Sequence, residues 1–563
     1  MSPQKREAQS SRLEHLRSEP ATKVLIIGGG INGVSTLREL ALQGVEVVLV
    51  DKGDFAAGAT AASSHMVHGG VRYLENGEFR LVKESLQERN RLLNNAPHCV
   101  TPLKTTIPIF SMFSGVLSAP LRFLSHKPGK PKERGALLIK LGLTLYDTFG
   151  RDGGTLPRHK FWGKKKTLKN FPDMNPQVKF SATYYDACME SPERLSLEVL
   201  SDATDLPNVR VANYCSAVSA DGKSVTLRDE LSGEEFSMQA EVVVNATGPW
   251  TDLTNEALGH PTKYMGGTKG SHIVVENQRL LEACDGREIF FENKDGRIVL
   301  MFPLMGKVLI GTTDIPVDMR EPVVCTEEEV DYFIELVKLV YPEIEVDRSQ
   351  IVFKYSGVRP LPAADDLNPG FVSRDYKIEH TLSISENQFG LISLVGGKWT
   401  TFRALGEHLA NEVLASIGVS RGVSTEKRPI GGGKDFPRTE QSKLQWAKTH
   451  APDVEPERVV QLLERYGTRC TPILERIAEE GERFLEGAPD YSDVEIGHIV
   501  QSEFVTNIED ILLRRTTIGF IGDASEKLLE ELAEILSKEL GLGSDELKRQ
   551  KSSITLDYRK VSQ

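Results

Sequence analysis

The chain has 563 residues, of which 39% are hydrophobic and 26% are charged, and its formal net charge at pH 7 is −12. These values are typical of a globular protein with two to four domains, and the acidic balance argues against a general nucleic-acid binder, which needs a basic face. The six cysteines show no C-x-x-C spacing, which favours free thiols over a disulfide framework or a structural metal site.

The chain begins with twenty polar residues of mixed charge, which lack the apolar core of a secretory signal. We therefore expect residues 1–20 to be a mobile tail and the protein to be cytoplasmic. No stretch of the sequence is a continuous apolar membrane span.

Residues 23–51 have the order strand, glycine turn, helix and strand that is typical of dinucleotide binding. Gly28, Gly30 and Gly33 form G-x-G-x-x-G, which lets a pyrophosphate approach the backbone amides at the start of the helix. Asp51 follows the second strand, 18 residues after Gly33, where its carboxylate can accept hydrogen bonds from a ribose diol. A tight turn without a ligand is the alternative, and the complete unit disfavours it.

The next loop, residues 52–73, is rich in small, hydroxylated and glycine residues. In this loop Ser63 and Ser64 can donate hydrogen bonds to phosphate oxygens, while Gly69 and Gly70 let the backbone approach a flat ring system. The loop is therefore suited to lie along an extended cofactor.

Residues 105–121 are apolar, and a cluster of basic residues follows them up to residue 134. Such a segment can rest on an anionic bilayer, with its apolar side chains in the interface and its cations among the headgroups. A surface loop with a buried strand at its start explains the same pattern, and both interpretations remain open at this point.

Residues 63–75, SSHMVHGGVRYLE, resemble the signature of the FAD-dependent glycerol-3-phosphate dehydrogenases. Further segments resemble this family, in its order and over about 400 residues in all: ATGPW at 246–250, KGSHIVV at 269–275, IGTTD at 310–314, YSGVRPL at 355–361, SRDY at 373–376 and GGKWTT at 396–401. The chain departs from the family pattern at His65, where Lys is usual, at Gly266, where the bacterial enzymes commonly have Arg, and at Asp51, where Glu is more frequent.

The resemblance implies a bound FAD and a phosphorylated secondary alcohol as substrate. Guanidinium groups suit a tetrahedral oxyanion, and an imidazole with a pKa near ~6.5 can accept the hydroxyl proton. His272 is the first choice for this base; His68 is the alternative and would otherwise hold the flavin. The expected catalytic residues are His272, His68, Arg359 and Lys398. The expected substrate-binding residues are Arg72, Tyr73, Arg359, Arg374 and Lys398. The expected cofactor-binding residues are Gly28, Gly30, Asn32, Gly33, Asp51, Ser63, Ser64, His68, Gly69, Gly70, Thr247, Gly248, Gly397 and Lys398.

We expect a Rossmann-like α/β FAD-binding domain, an antiparallel-sheet substrate domain that roofs the flavin, and a C-terminal all-α domain. The positions of the motifs predict residues 21–100, 205–265 and 355–425 for the FAD-binding domain, 101–204 and 266–354 for the substrate domain, 426–437 for a linker and 438–563 for the helical domain. In the helical domain Glu503, Arg514 and Arg515 are expected to pair within the domain or against the flavin domain, without a catalytic role.

The resemblance implies FAD-dependent oxidation of sn-glycerol 3-phosphate to dihydroxyacetone phosphate, with hydride transfer to flavin N5. The segment 105–134 favours a quinone as electron acceptor and peripheral contact with the inner face of the cytoplasmic membrane. A glycerol-3-phosphate oxidase that produces hydrogen peroxide from oxygen is the main alternative. An amine or amino-acid oxidase and a non-catalytic flavin-bound scaffold are less favoured, and a homodimer stays open.

Overall fold

The computed structural model describes residues 9–74, 78–111, 136–151, 154, 156–293, 298–363 and 375–554. Its strands are β1 (Ala21–Ile27), β2 (Val47–Val50), β3 (Met66–Val67), β4 (Val100–Ile109), β5 (Lys160–Gly163), β6 (Phe180–Met189), β7 (Val209–Ala212), β8 (Cys215–Asp221), β9 (Ser224–Asp229), β10 (Glu235–Asn245), β11 (Thr268–Val275), β12 (Glu288–Glu292), β13 (Ile298–Leu304), β14 (Lys307–Gly311), β15 (Ile315–Pro316), β16 (Ile351–Arg359), β17 (Lys377–Leu382), β18 (Gly390–Val395), β19 (Phe484–Leu485) and β20 (Ala488–Ser492).

The α-helices of the described part are Gln9–Ser18, Ile31–Ala41, Phe79–Asn95, Ala136–Phe149, Lys164–Asn170, Pro192–Thr204, Thr251–Ala257, Gln278–Cys284, Glu327–Val340, Phe402–Ser416, Glu440–His450, Pro456–Tyr466, Thr471–Glu480, Asp493–Ser502, Ile508–Asp510, Ile518–Ile521, Glu526–Leu540 and Ser544–Ser553. Among these helices, none is long and apolar enough to cross a bilayer.

The first sheet has the strand order β17-β18-β10-β1-β2-β7, and the strands from β18 to β7 are parallel. β2 and the second half of β1 are runs of Val, Leu and Ile that are buried on both faces, as expected for a parallel sheet between helices. Helices Ile31–Ala41, Pro192–Thr204 and Phe402–Ser416 cover one face. The helix Gln9–Ser18 and the hairpin β8–β9 cover the other. The predicted Rossmann-like domain is confirmed.

The carboxyl ends of three parallel strands lie side by side at one edge of this sheet. Ile27 is in register with Asn245, and Asn245 is in register with Ser393. The glycine turn, the turn at residues 246–248 and the turn at residues 396–398 therefore meet at this edge. In open α/β sheets this is the edge at which ligands bind.

The second sheet has the order β15-β11-β14-β13-β12-β4-β6-β3, with β16 paired to β11 and β5 to β6. Its pairs are antiparallel as predicted, except that β12 and β4 are parallel. One face packs against helices Gln278–Cys284 and Glu327–Val340. β16 belongs to this sheet, whereas the motif positions predict residues 355–425 for the FAD-binding domain. The antiparallel pairing of β16 with β11 over eight residue pairs accounts for the difference.

Residues 9–18 are not part of a mobile tail, in contrast to the prediction for residues 1–20. They form a helix because Leu13 and Leu16, three positions apart, are buried against the first sheet. Arg12 on the same helix donates a hydrogen bond to Asn213 Oδ1 at 3.0 Å.

Of the segment 105–134, residues 105–109 form the end of β4, and residues 112–134 lie outside the described residues. The start of this segment is thus the buried strand that was one of the two interpretations.

The C-terminal region is helical from residue 440 onward, as predicted, with the small hairpin β19–β20 added. Its core is continuous with the second sheet, because Phe353 and Tyr355 of β16 belong to the same apolar cluster as Ile511 and Leu512. The helical region therefore packs directly against the strands that carry the candidate site.

Candidate active site

The glycine turn leads into the helix Ile31–Ala41 at the edge described above. Gly33 has no room for a side chain, since a Cβ atom there would lie 1.9 Å from the Gly28 carbonyl oxygen. The side-chain oxygen of Asn32 is buried and has no hydrogen-bond partner among the described residues. This cradle fits a dinucleotide, whose phosphates meet the helix N-terminus and whose hydroxyl groups can donate to Asn32.

Asp51 follows β2 and lies beside the glycine turn. Its Oδ2 accepts a hydrogen bond from the Gly29 amide at 2.6 Å, and its Oδ1 accepts one from the Gly53 amide at 2.8 Å. Burial raises the pKa of Asp51 to about 6, although both backbone hydrogen bonds act to lower it. Each carboxylate oxygen has a second lone pair that can accept from a ribose hydroxyl.

The turns after β10 and β18 close the cofactor site from the side. Thr247 donates a hydrogen bond to Asn245 Oδ1 at 2.7 Å, which holds the turn before Gly248. A Cβ atom at Gly397 would lie 3.2 Å from Asn32 Nδ2, so this turn touches the start of the helix. The structure thus brings these predicted cofactor residues together.

The loop of residues 52–73 joins the same site through its backbone. The amide and the carbonyl of His68 each form a 3.1 Å hydrogen bond with the Thr400 hydroxyl, two residues after Lys398. The Gly69 amide donates to the Tyr146 hydroxyl at 2.8 Å. The predicted ring-contacting glycines are therefore held next to the turn that carries Lys398.

The same loop contacts the second sheet. The Ser64 Oγ lies 2.8 Å from Nε2 of His272 on β11, and the Tyr355 hydroxyl on β16 donates to the Ser63 carbonyl at 2.7 Å. The phosphate contacts predicted for Ser63 and Ser64 did not anticipate these partners. The loop beside the cofactor site is thereby joined to the candidate base.

His65, at the position where the family usually has Lys, contacts Glu190 and the C-terminal region. Its Nδ1 is hydrogen-bonded to the Glu190 carbonyl at 2.9 Å, and its ring packs on Phe520 of the C-terminal region. Burial lowers the pKa of His65 to about 4, so its ring is neutral.

His272 is buried, with 2% of its surface exposed. Its ring stacks on Tyr355 with 4.8 Å between the centroids, and its Nδ1 has no hydrogen-bond partner among the described residues. Burial, with smaller contributions from Arg359 and His65, lowers the pKa of His272 well below 6.5. The imidazole is therefore neutral at neutral pH and able to accept a proton.

Arg359 lies at the end of β16, on the same face of the sheet as His272. Its guanidinium occupies the space above Gly270, two residues before His272, where a Cβ atom would be 2.2 Å from Nη2. Only glycine permits this approach. The guanidinium donates to Asp314 Oδ1 at 3.2 Å, Thr312 Oγ1 at 3.0 Å and the Thr313 carbonyl at 3.0 Å.

Lys398 and Tyr73 lie together at the edge of the cofactor site. The Lys398 Nζ is 4.6 Å from the centre of the Tyr73 ring and donates to Ser85 Oγ at 2.9 Å. This geometry is that of a cation–π contact. Of the other predicted substrate residues, Arg374 lies outside the described residues, and Arg72 is described in its backbone alone.

Sequence reasoning missed the partners that orient these groups. The residues Thr312, Thr313 and Asp314 belong to the segment IGTTD, which follows the family order but predicts no role for these side chains. Tyr355 lies in YSGVRPL, four residues before Arg359. For Ser85 no signal was present in the sequence.

The chain matches two family models. Residues 23–411 match the model described as FAD dependent oxidoreductase, and residues 423–547 match the model described as C-terminal domain of alpha-glycerophosphate oxidase. Together they account for the first sheet, the second sheet and the helical region.

The chain is similar to curated proteins over almost its whole length. A glycerol-3-phosphate dehydrogenase of Synechocystis sp. is 33% identical over 556 residues, which cover 94% of this chain and 95% of that protein. A D-erythritol 1-phosphate dehydrogenase of Brucella abortus is 32% identical over 526 residues, which cover 89% of this chain and 95% of that protein.

Among solved structures, a glycerol-3-phosphate dehydrogenase from Bacillus halodurans complexed with FAD has a TM-score of 0.74 at 23% identity, and the match covers 99% of this chain and 100% of that one. This likeness shows a shared fold. With the two family models and the curated relatives, it shows that the chain belongs to the family of FAD-dependent glycerol-3-phosphate dehydrogenases and oxidases.

Proposed function

We propose that this protein oxidises sn-glycerol 3-phosphate to dihydroxyacetone phosphate with FAD as cofactor, and that the electrons then pass to a quinone. The observation that carries the proposal is the 2.8 Å contact between Ser64 and His272. It joins the loop beside the dinucleotide turn to the sheet that holds Arg359. A base and a cation are therefore available next to the cofactor site.

FAD, when bound, supplies a hydride acceptor for the carbinol carbon of the substrate. The residues that would hold it are Gly28, Gly30, Asn32, Gly33, Asp51, Ser63, Ser64, His68, Gly69, Gly70, Thr247, Gly248, Gly397 and Lys398.

We assign the hydroxyl proton of the substrate to His272. The imidazole would accept this proton at Nε2, where the substrate hydroxyl would replace the Ser64 hydroxyl as hydrogen-bond partner, while stacking on Tyr355 fixes the plane of the ring. Because burial lowers the pKa of His272, the ring is neutral before the reaction. His68 is assigned to the cofactor, since its backbone is held by Thr400.

We assign the phosphate of the substrate to Arg359 and Lys398. The planar guanidinium suits two phosphate oxygens at once, and Lys398 adds a compact charge beside the Tyr73 ring. Asp314, Thr312 and Thr313 hold the Arg359 guanidinium in place before substrate arrives. Arg72 and Arg374 remain candidates for further phosphate contacts, as the sequence predicted.

A quinone acceptor requires access to a membrane. Helix Ala136–Phe149, which follows the segment 105–134, exposes Leu137, Leu141 and Leu145 by 54%, 60% and 36%. These leucines are spaced by four residues and so lie on one face of the helix. An exposed apolar face of this kind favours peripheral binding to a bilayer, where a quinone is dissolved.

An anaerobic titration of the FAD-loaded protein with sn-glycerol 3-phosphate tests the proposed reaction. We expect stoichiometric bleaching of the oxidised flavin absorbance. D-erythritol 1-phosphate is the matched comparison, because a relative of similar identity bears that name, and amino acids are the negative control. Protein that holds FAD but is bleached by no phosphorylated alcohol contradicts the proposal and favours a scaffold.

The electron acceptor is tested in the same preparation by comparing quinone reduction with peroxide yield. We expect turnover with a soluble quinone analogue and little peroxide. Stoichiometric peroxide with negligible quinone turnover would identify an oxidase and leave the substrate assignment intact.

A further inference from the structure

The loop that follows β2 enters a buried cluster of charges in the C-terminal region. The Asp54 carboxylate accepts hydrogen bonds from Arg514 Nε at 2.6 Å and from Arg515 Nη1 and Nη2 at 2.7 and 2.8 Å. Asn213 Nδ2 adds a fourth contact at 3.0 Å. The side chains of Asp54 and Arg515 are both fully buried.

The remaining charges of this cluster are also paired. Arg514 donates to Asp510 at 2.8 Å, and Asp510 accepts from the Tyr214 hydroxyl at 2.6 Å. Burial acts to raise the pKa of Asp54, but the Arg515 and Arg514 charges outweigh it and lower this pKa to about 2. The carboxylate is therefore ionised. Removal of Asp54, or of both Arg514 and Arg515, would leave a buried charge without its counterion.

A second contact beside Asp54 is apolar. The Phe55 ring packs edge to face against Phe504 of the C-terminal region, with 5.4 Å between the ring centroids. Phe55 is 1% exposed. The loop is thus attached to the C-terminal region by neighbouring polar and aromatic contacts.

Residues 51–56 of this loop also contact the glycine turn. The Ala56 amide donates to the Gly29 carbonyl at 3.0 Å, and Asp51 accepts from the Gly29 amide at 2.6 Å. The Phe55 ring lies directly against Gly29, where a Cβ atom would be 2.5 Å from it. Residues 51–56 therefore contact Gly29 at its amide, its carbonyl and its Cα.

These contacts form a continuous connection from the C-terminal region to the dinucleotide turn. We propose that the C-terminal region is part of the FAD-binding apparatus, with Arg515 and Phe504 as positioning residues that hold Asp54 and Phe55 and thereby keep Phe55 against Gly29. In this arrangement the turn keeps the shape in which its amides meet the pyrophosphate. A purely structural interface would join the two regions without affecting FAD affinity.

The proposal is tested with the deflavinated full-length protein by measuring the Kd for FAD from the quenching of flavin fluorescence. Arg515→Met and Asp54→Asn should each weaken FAD binding by about tenfold or more. This is the size of effect known for residues that hydrogen-bond to metal ligands and so orient them. The double variant should be no weaker than the singles, because both remove the same connection. Arg515→Lys should recover part of the affinity.

Arg458→Met is the matched control. Arg458 forms buried ion pairs with Glu495 at 2.8 Å and Glu482 at 2.9 Å, all within the C-terminal region. Its loss should lower the stability of that region and leave the Kd for FAD unchanged. A folded Arg515→Met variant that binds FAD like the wild type would overturn the proposal.

Hydrogen exchange on the wild-type protein gives a test that needs no variant. If the C-terminal contacts favour FAD binding, then FAD binding must stabilise these contacts by the same free energy. We expect FAD to slow amide exchange in Ile511–Arg515. If FAD slows exchange at the glycine turn alone, the C-terminal region has no part in cofactor binding.

Discussion

His272 is surrounded by groups that keep its imidazole neutral. Burial contributes most, and the positive charge of Arg359 adds to it. An imidazole in water takes up a proton at a pH near ~6.5. In the folded protein this uptake is shifted to lower pH, so the base form of His272 persists over a wider range.

We predict that kcat/KM of the wild-type enzyme stays constant down to a pH of about 6.5 and falls only below it. The sign follows from the lowered pKa, since activity is lost as the base becomes protonated. His272→Gln should bind FAD normally, turn over slowly and lose this acid limb. A wild-type limb centred at or above pH ~7 would transfer the role of base to another group.

The residues of the site were predictable where one short segment carries both the residue and its signal. Gly33, Asp51 and Lys398 lie in such segments. The contact between Ser64 and His272 spans 208 positions and depends on how the loop packs against the second sheet. This packing brings together residues that are far apart in the chain, so no local sequence pattern predicts it.

At the scale of one element, helix Glu327–Val340 supports the Arg359 site from the opposite face of the second sheet. Glu329 in its first turn accepts hydrogen bonds from Thr313 Oγ1 at 2.6 Å and Ser271 Oγ at 2.8 Å, and it pairs with Lys269 at 2.7 Å. The Thr313 carbonyl in turn accepts from Arg359. The helix therefore fixes the segment that orients the guanidinium.

We predict that Glu329→Gln raises KM for sn-glycerol 3-phosphate more than it lowers kcat. It also leaves Lys269 buried without its counterion, which should cost about 3–5 kcal/mol of unfolding free energy. Arg359→Ala should lose about 2–5 kcal/mol in kcat/KM if this residue binds the phosphate. Thermal unfolding measures the loss of stability, and steady-state kinetics measures the changes in KM, kcat and kcat/KM.

Glu327→Gln is the control for this prediction, because Glu327 lies on the same helical turn but is 63% exposed. Its ion pairs with Arg348 and Lys354 are near the surface and contribute little. A Glu329→Gln variant with wild-type KM would show that the helix does not influence the phosphate site.

The elements themselves were predicted unevenly, for physical reasons. β2 and the C-terminal helices have clear apolar patterns and were found. The helix Gln9–Ser18 was not, because it has only two buried leucines among polar residues. Its stability comes from tertiary contacts rather than from its own pattern.

At the scale of the whole molecule, charge is distributed unevenly. The chain has a net charge of −12, so its average surface is repelled by an anionic bilayer. The helix Ala136–Phe149, which carries the exposed leucines, nevertheless lies beside β5 and the basic residues around it, since Lys140 Nζ lies 6.0 Å from the centre of the Phe161 ring on β5. The exposed basic residues here are Lys140, Arg151, Arg158, Lys160, Lys164, Lys165, Lys166 and Lys169.

This surface leads to a prediction about the proposed membrane contact. Lysines near an anionic surface contribute about 1 kcal/mol each, and a fully buried leucine contributes about 1.5–3 kcal/mol. Changing Leu137, Leu141 and Leu145 to Gln should therefore reduce co-sedimentation with anionic vesicles by more than about tenfold. Turnover with a soluble quinone analogue should be unchanged.

The control is the same change at Leu231, Ile384 and Leu444, which are exposed by 47%, 37% and 42% but come from three separate segments. Because they do not share one helix face, their loss should not affect vesicle binding. High salt should also weaken the binding of the wild-type protein to anionic vesicles, since the attraction between lysines and lipid charges is screened beyond about 10 Å at 0.1 M salt. If the leucine variant binds vesicles as well as the control, this helix is not the membrane-binding surface, and a quinone would have to reach the flavin by another route.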